Sequence, residues 1–150
     1  MDINDITCDQ RGIAERITRW RYGLIEVHDS ELVSIRGRWL PKMISLVGVW
    51  WGDHVIHRHA AGDRVLLYYD QPLFHPRFLA LKYVQSTSQS TFASIMVGLR
   101  VLDRVAELKG IQAIVAEASN KRLTPRVMQR FGFEQHLQQK SDRHFIRRFV

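Results

Sequence analysis

The sequence predicts an α/β protein of the α+β type, in which a mixed and mainly antiparallel sheet of about six strands is flanked by helices. Three observations support this fold class. Apolar residues recur at helical spacing in the first forty residues, β-branched and aromatic runs fill the middle, and strand, helix and strand signals alternate in the second half. At 150 residues, of which 45% are hydrophobic, the chain is predicted to form one domain with a single core.

Two helices are predicted in the first forty residues. The first begins after Asp9, a residue type that favours helix N-caps, and the second begins at Asp29 or Ser30 and ends before Pro41. Spacings of three and four residues place the apolar side chains on one face of each helix. These side chains are Ile13, Ile17, Trp20 and Leu24 in the first helix, and Leu32, Val33 and Ile35 in the second.

Four runs of β-branched and aromatic residues then predict strands. Turn-forming residues at 60–63 separate two of the runs and favour a hairpin, and a proline-containing loop over residues 70–76 precedes the last run. The predicted strands cover residues 45–51, 55–59, 64–69 and 78–86.

The second half of the chain predicts a βαβ unit. A polar loop follows the strand over residues 78–86, and a helix then runs over residues 92–109 until Gly110 ends it. A strand over residues 111–118 completes the unit, so the two strands should be parallel neighbours. The free amides at the start of the helix would suit a phosphate group of a ligand. The apolar face of the helix consists of Ile95, Leu99, Leu102 and Val105.

A short helix is predicted after this unit. Thr124 is a suitable N-cap, Pro125 suits the first helical position, and Gly132 suits the left-handed conformation that ends a helix. Phe131 and Phe133 flank this glycine. An aromatic residue beside a helix end usually packs back onto its own helix, so both phenylalanines are predicted to belong to the core.

Basic residues are concentrated near the C-terminal end of the chain. The net charge is +7, and residues 120–150 hold eight basic and two acidic side chains, which account for six of the seven net charges. A basic surface in one region suits a polyanion or a phosphorylated ligand, and it equally suits a solvated face that keeps the protein in solution.

The sequence also predicts the compartment. Cys8 is the only cysteine, so no internal disulfide is possible. The N-terminus is acidic and polar where a secretory signal would be basic and then apolar, and the longest nearly apolar run, residues 43–51, has only nine residues. We therefore expect a cytoplasmic protein without a membrane segment.

Asn120 follows the second strand of the βαβ unit, and the short helix is followed by Gly132 and Phe133. This order of strand, loop, helix, strand, asparagine, short helix, Gly-Phe and strand resembles the C-terminal half of the GNAT superfamily of acyl-CoA-dependent N-acyltransferases, over residues 78–150. Met128 stands where the family usually places a tyrosine that protonates the leaving thiolate. The family's pyrophosphate loop, Gln/Arg-x-x-Gly-x-Gly/Ala, corresponds here to residues 88–93, of which only Ala93 fits.

The resemblance implies that the cofactor is acetyl-CoA, or another acyl-CoA, and that the acceptor is an amine of unknown identity. It implies that the pyrophosphate rests on the loop over residues 88–93 and that the pantetheine amides pair with a strand edge. It further implies that Asn120 bonds the pantetheine arm and that basic residues near the short helix reach phosphate. The implied coenzyme contacts are Val84, Gln85, Ser88, Gln89, Ser90, Thr91, Phe92, Ala93, Asn120, Lys121, Arg122, Arg126 and Met128.

Acyl transfer to an amine requires that the amine lose a proton, so a basic side chain near the carboxyl ends of the central strands is expected. Glu117 lies near the end of the predicted fifth strand and is a candidate general base, although an exposed strand glutamate is often only a surface residue. The hydroxyl of Tyr83 is a second candidate, as an acid, although a strand tyrosine more often packs.

Other hypotheses stay open. The chain can be a catalytically inactive GNAT-like module that binds acyl-CoA or a partner, and it can form a homodimer. A nucleic-acid-binding domain is less favoured because no known binding motif is present. A metal site at Asp53, His57 and His59 is also disfavoured, because no second ligand pair is suitably spaced. The basic residues that would neutralise nucleic-acid phosphates are Lys121, Arg122, Arg126, Arg130, Arg143, Arg147 and Arg148.

Overall fold

A computed structural model describes residues 10–38, 62–118, 123–136 and 143–149. These residues form three helices and seven strands. In chain order they are α1 (Gln10–Arg19), β1 (Tyr22–His28), β2 (Glu31–Arg38), β3 (Arg64–Asp70), β4 (Phe78–Ser86), α2 (Phe92–Leu108), β5 (Ala113–Glu117), α3 (Pro125–Arg130), β6 (Glu134–Gln135) and β7 (His144–Arg148).

The seven described strands form one mixed sheet in the order β2-β1-β3-β4-β5-β7-β6. Among them β4 and β5 are the only parallel pair, and every other pair is antiparallel. The predicted fold class, a mixed and mainly antiparallel sheet with flanking helices, is therefore confirmed. The predicted parallel adjacency of the two strands of the βαβ unit is also confirmed, with α2 as the crossover between them.

The helices predicted in the first forty residues are only partly present. Helix α1 ends at Arg19, so Leu24 belongs to a strand, and the second predicted helix is wrong because β1 and β2 form a hairpin there. Asp29 and Ser30 both have positive φ, at 49° and 63°, as the two central residues of a type I′ hairpin turn do. The same residue types also favour a helix N-cap, which is why the sequence predicts a helix here.

Strand β3 confirms the strand predicted near residues 64–69. It pairs with β1 along one edge and with β4 along the other, so both edges are occupied by described strands. The predicted strands over residues 45–51 and 55–59, and the first half of the predicted hairpin turn, lie outside the described residues.

The core lies between one face of the sheet and α2. Gly98 is buried on α2, and a Cβ atom at that position would lie 2.1 Å from Cδ1 of Leu67. The glycine therefore allows α2 to approach β3 closely. The fully buried side chains of this core include Ile25, Val27, Val65, Leu67, Leu79, Leu102, Val105 and Ile114. None of the described helices is long and apolar enough to cross a membrane.

The short helix α3 has the predicted boundaries. The Thr124 hydroxyl accepts a hydrogen bond from the amide of Val127, which caps the helix, and Gly132 ends it with φ at 83°. Phe131 and Phe133 are both buried, which confirms their predicted place in the core.

Replacement of Phe133 by Ala should lower the free energy of unfolding by about 3 to 5 kcal/mol, because the side chain is 2% exposed and its removal leaves a cavity. Phe74→Ala is the matched control, since that ring is 90% exposed and its loss should change stability by about 0.5 kcal/mol or less. Urea denaturation of both variants tests the assignment. Equal midpoints for the two variants would contradict it.

Candidate functional site

The pairing between β4 and β5 ends before β4 does. The parallel ladder runs from Phe78 opposite Ala113 to Leu81 opposite Ala116, whereas β4 continues to Ser86. At the same place the β3–β4 register shifts, which makes Lys82 an extra residue in β4 and so a β-bulge. A bulge bends its strand, and bulges are frequent beside active sites. The two strands thus form a cleft beyond Leu81 and Ala116.

Among the described residues, two cavities open at this cleft, one on each face of the sheet. The helix-side cavity has a volume of about 120 Å³ and lies between the two strands and helices α2 and α3. The loop-side cavity has a volume of about 530 Å³ and lies beneath the loop that precedes β4. Both cavities are lined by Leu81, Lys82, Ala116 and Glu117.

Glu117 is the predicted catalytic residue that the structure places in the cleft. It is exposed at the carboxyl end of β5 and contributes to both cavities. Tyr83 lies on β4 opposite Tyr68 in the β3–β4 ladder. Tyr83 therefore lies in the part of β4 that borders the cleft.

Three of the described histidines line the loop-side cavity, and no pattern in the sequence indicates them. His75 comes from the loop before β4, His136 from the residue after β6, and His144 from the start of β7. His144 lies directly opposite Glu117 in the β5–β7 ladder. Only the sheet topology brings these segments together, so no local spacing in the sequence could have indicated the cluster.

The loop predicted to hold the pyrophosphate is bonded to the start of β3. The Thr87 hydroxyl donates to the Gly62 carbonyl at 2.7 Å, and the Ser90 hydroxyl donates to the Arg64 carbonyl at 2.8 Å. Ser88 and Gln89 are exposed at the tip of the loop. The hydroxyls of Thr87 and Ser90 thus stabilise the loop, and the exposed tip residues remain accessible to solvent.

Asp63 places a carboxylate at the N-terminus of α2. It accepts hydrogen bonds from the Thr91 amide at 3.1 Å, from the Thr91 hydroxyl at 2.7 Å and from the Ser94 hydroxyl. Burial raises the pKa of Asp63, but hydrogen bonds from Ser94 and Thr91, together with the charge of His28, outweigh it and hold the pKa below the ordinary value. The polar groups of Thr91 are therefore engaged by the chain itself.

Helix α3 contributes an aromatic and basic surface beside the start of α2. The ring of Phe92 stacks on that of Phe131, with centroids 5.2 Å apart, and the guanidinium of Arg130 lies 5.0 Å from the Phe92 centroid. Ala93 and Arg126 are exposed, on the first turns of α2 and α3 respectively. This surface therefore places the positive charge of Arg130 next to the first residue of α2.

The other predicted coenzyme contacts divide into three groups. Val84 and Met128 line the helix-side cavity, and Met128 is buried there. Gln85 is buried on β4. The predicted contacts Asn120, Lys121 and Arg122 lie outside the described residues.

Three arginines of the C-terminal basic region make contacts within the protein. Arg147 pairs with Asp103 at 2.7 Å, Arg148 pairs with Glu134 at 3.1 Å, and Arg143 donates to the Ala118 carbonyl at 2.6 Å. These contacts offset part of the positive charge that a nucleic acid would require.

The part of the chain that the structure describes contains no group of three or more His, Cys, Asp or Glu side chains placed to hold a metal ion. The cluster of Asp53, His57 and His59 lies outside that part.

Replacement of Asp63 by Asn should lower stability by about 1 to 2 kcal/mol at neutral pH, since charge-assisted hydrogen bonds to the α2 N-terminus are lost. The lowered pKa makes this contribution complete above the ordinary carboxyl value of 3.8, and it is lost as the pH falls through the folded-state pKa. Denaturation from pH 7 to pH 2.5 should therefore show the two stabilities converging below about pH 4. Glu107→Gln, at an exposed position late in the same helix, is the control and should show a smaller difference. A constant difference between wild type and Asp63→Asn at every pH would contradict the assignment.

Comparisons with protein-family models, with curated proteins and with solved structures find no significant match.

Proposed function

We propose that the protein is an N-acyltransferase of the GNAT type, which transfers an acetyl or other acyl group from coenzyme A to an amine. The observation that best supports this proposal is the end of the β4–β5 ladder at a bulge, with one cavity on each face and Glu117 lining both. Such a gap lets a thioester carbonyl enter from one face and an amine approach it from the other. The sheet between the two faces fixes the direction of attack.

The helix-side cavity suits the arm of the coenzyme. Its small volume and its lining by Val84, Ile95, Leu99 and Met128 fit a slender and largely apolar chain. The backbone of β4 beyond Leu81, at Val84 and Gln85, would pair with the two amides of the pantetheine arm as an added strand would. The thioester would then lie at the cleft.

The pyrophosphate would lie outside this cavity, near the start of α2. The amides of Phe92 and Ala93 belong to the first turn, where helix N-terminal amides favour anions, and Arg126 and Arg130 would add positive charge. Asp63 opposes this binding, because its carboxylate already bonds Thr91 and would repel a phosphate. We expect weaker coenzyme binding than a glycine-rich loop would provide.

Met128 makes a catalytically inactive acyl-CoA-binding module the second candidate. A thioether cannot protonate the leaving thiolate, so that proton would have to come from solvent or from another residue. Nucleic-acid binding is less well supported, since three of its expected phosphate contacts are engaged within the protein.

The proposal predicts that acetyl-CoA binds and that the affinity survives a rise from 50 to 200 mM salt. Gln89→Glu should weaken binding by roughly fivefold, because it adds a negative charge at the exposed loop tip near the expected pyrophosphate. Gln112→Glu is the matched control, since it adds the same charge at an exposed position beyond the other end of α2 and should change affinity by less than about twofold. Isothermal calorimetry measures both.

A radiolabelled acetyl-transfer assay with a panel of amines then tests catalysis. Binding without transfer would favour the inactive module. Absence of acetyl-CoA binding, combined with oligonucleotide binding that falls steeply with salt, would favour the nucleic-acid hypothesis.

A further inference from the structure

We propose that His144 accepts the proton of the acceptor amine, and that this amine is a small molecule with one positive charge and an apolar body, held in the loop-side cavity. The inference rests on the proposed acyl transfer and specifies its acceptor side. Its first support is the juxtaposition of His144 and Glu117, which are direct partners in the β5–β7 ladder.

The two side chains lie on the same face of the sheet. Directly opposed residues of an antiparallel pair project to one side, with Cβ atoms about 4.5–5.5 Å apart. The neighbouring pair of Ala116 and Phe145 is buried in the core beneath α2, so Glu117 and His144 project to the opposite face. Both residues line the loop-side cavity. An ammonium group bound by the carboxylate would therefore lie within reach of the imidazole.

Among the described histidines of the cavity, His144 is also the most firmly positioned. One edge of its strand is paired with β5, and on the other edge the His136 amide donates to the His144 carbonyl at 2.7 Å. The preceding residue, Arg143, makes two hydrogen bonds with Ala118. Its carbonyl accepts from the Ala118 amide at 2.9 Å, and its guanidinium donates to the Ala118 carbonyl at 2.6 Å. His75, in contrast, lies in a loop, where its ring contacts Phe78 edge-on. General bases need this kind of fixed position.

His144 and Glu117 would have different roles in the proton transfer. Histidine side chains as a class titrate close to neutral pH, which makes imidazole a better proton acceptor for an amine at pH 7 than an ordinary carboxylate. Glu117 would hold the ammonium and stabilise the imidazolium that forms. His144 takes one proton from the ammonium, and the neutral amine nitrogen attacks the thioester carbonyl. The C–N bond forms, the C–S bond breaks, and the second proton passes through solvent to the leaving thiolate, which gives an amide and a free thiol.

The cavity itself indicates the class of amine. About 530 Å³ lies within the range of small-molecule sites, and Phe78, Ala80 and Val115 provide an apolar wall. Glu117 is the only carboxylate among the described residues that line the cavity. The cavity therefore suits an amine with one positive charge better than an amine with several. The adjoining loop exposes Leu73 and Phe74 by 67% and 90%, which places further apolar surface beside the cavity.

The test measures acetyl transfer to 2-phenylethylamine between pH 5.5 and pH 9.5 in wild type and in His144→Gln. We expect kcat to fall by about 100-fold or more and the dependence of kcat on pH to change shape, because the proton acceptor is lost, whereas KM for the amine changes by less than about threefold. The other titratable groups facing His144 are Glu117 from β5, Lys82 from β4, His136 beyond β6 and His75 from the loop. His28→Gln, which changes an exposed histidine outside this cavity, is the matched control and is expected to retain kcat, KM and the pH profile.

Each result has a definite consequence. Transfer that is unchanged in His144→Gln, or a stronger preference for spermidine or a tripeptide N-terminus than for 2-phenylethylamine, would overturn the inference and leave acyl transfer intact. Acetyl-CoA binding without transfer to any amine would overturn the enzymatic function and the inference with it. If His144→Gln does not fold, an NMR titration of the unmodified protein decides, because 2-phenylethylamine should shift the His144 ring resonances far more than those of His28. No shift at His144 would also overturn the inference.

Discussion

The parallel pairing of β4 with β5 is the constraint on which the rest of the structure depends. A parallel pair cannot be joined by a tight turn, so the chain crosses the sheet through α2 before it returns. The crossover brings the carboxyl ends of both strands and the N-terminus of α2 to one edge of the sheet. The bulge at Lys82 then opens the cleft at that edge. The location of the site thus follows from the path of the chain, and its chemistry follows from the side chains that arrive there.

The start of α2 shows how stability and anion binding compete. A helix N-terminus favours negative charge, and Asp63 supplies that charge from within the protein through Thr91 and Ser94. The Ser94 hydroxyl also accepts a hydrogen bond from the amide of Ser30 at 2.8 Å, so the same node holds the β1–β2 turn against the helix. A glycine-rich loop would leave the amides open to a phosphate, but it would not make these contacts. The hydrogen bonds that stabilise the fold therefore occupy donors of Thr91 and Ser94 at the place where a coenzyme phosphate would need free donors.

Local signals in the sequence predicted the parts of the fold that depend on local chemistry. The polar loop, the helix ended by Gly110 and the short helix ended by Gly132 were all predictable because caps and left-handed glycines act within a few residues. The β1–β2 hairpin was not, since Asp29 and Ser30 suit a helix cap as well as a type I′ turn, and only pairing with β3 decides between them. Glu117 could be predicted from its place at a strand end. His144 could not, because its relation to Glu117 exists only in the assembled sheet.

Arg147 connects the two faces of the proposed site. It lies three residues beyond His144 on β7 and faces α2. Its guanidinium donates hydrogen bonds to Asp103 on α2 at 2.7 Å and to the carbonyl of Phe131, at the end of α3, at 3.2 Å. Burial raises the pKa of Asp103 above its ordinary value, and the positive charge of Arg147 opposes that rise, so the pairing favours the charged carboxylate. The pair thereby fixes β7 against the helices that form the helix-side cavity. Because His144 lies on the other face of the same strand, its position relative to Glu117 is set by packing on the side of the sheet that it does not touch.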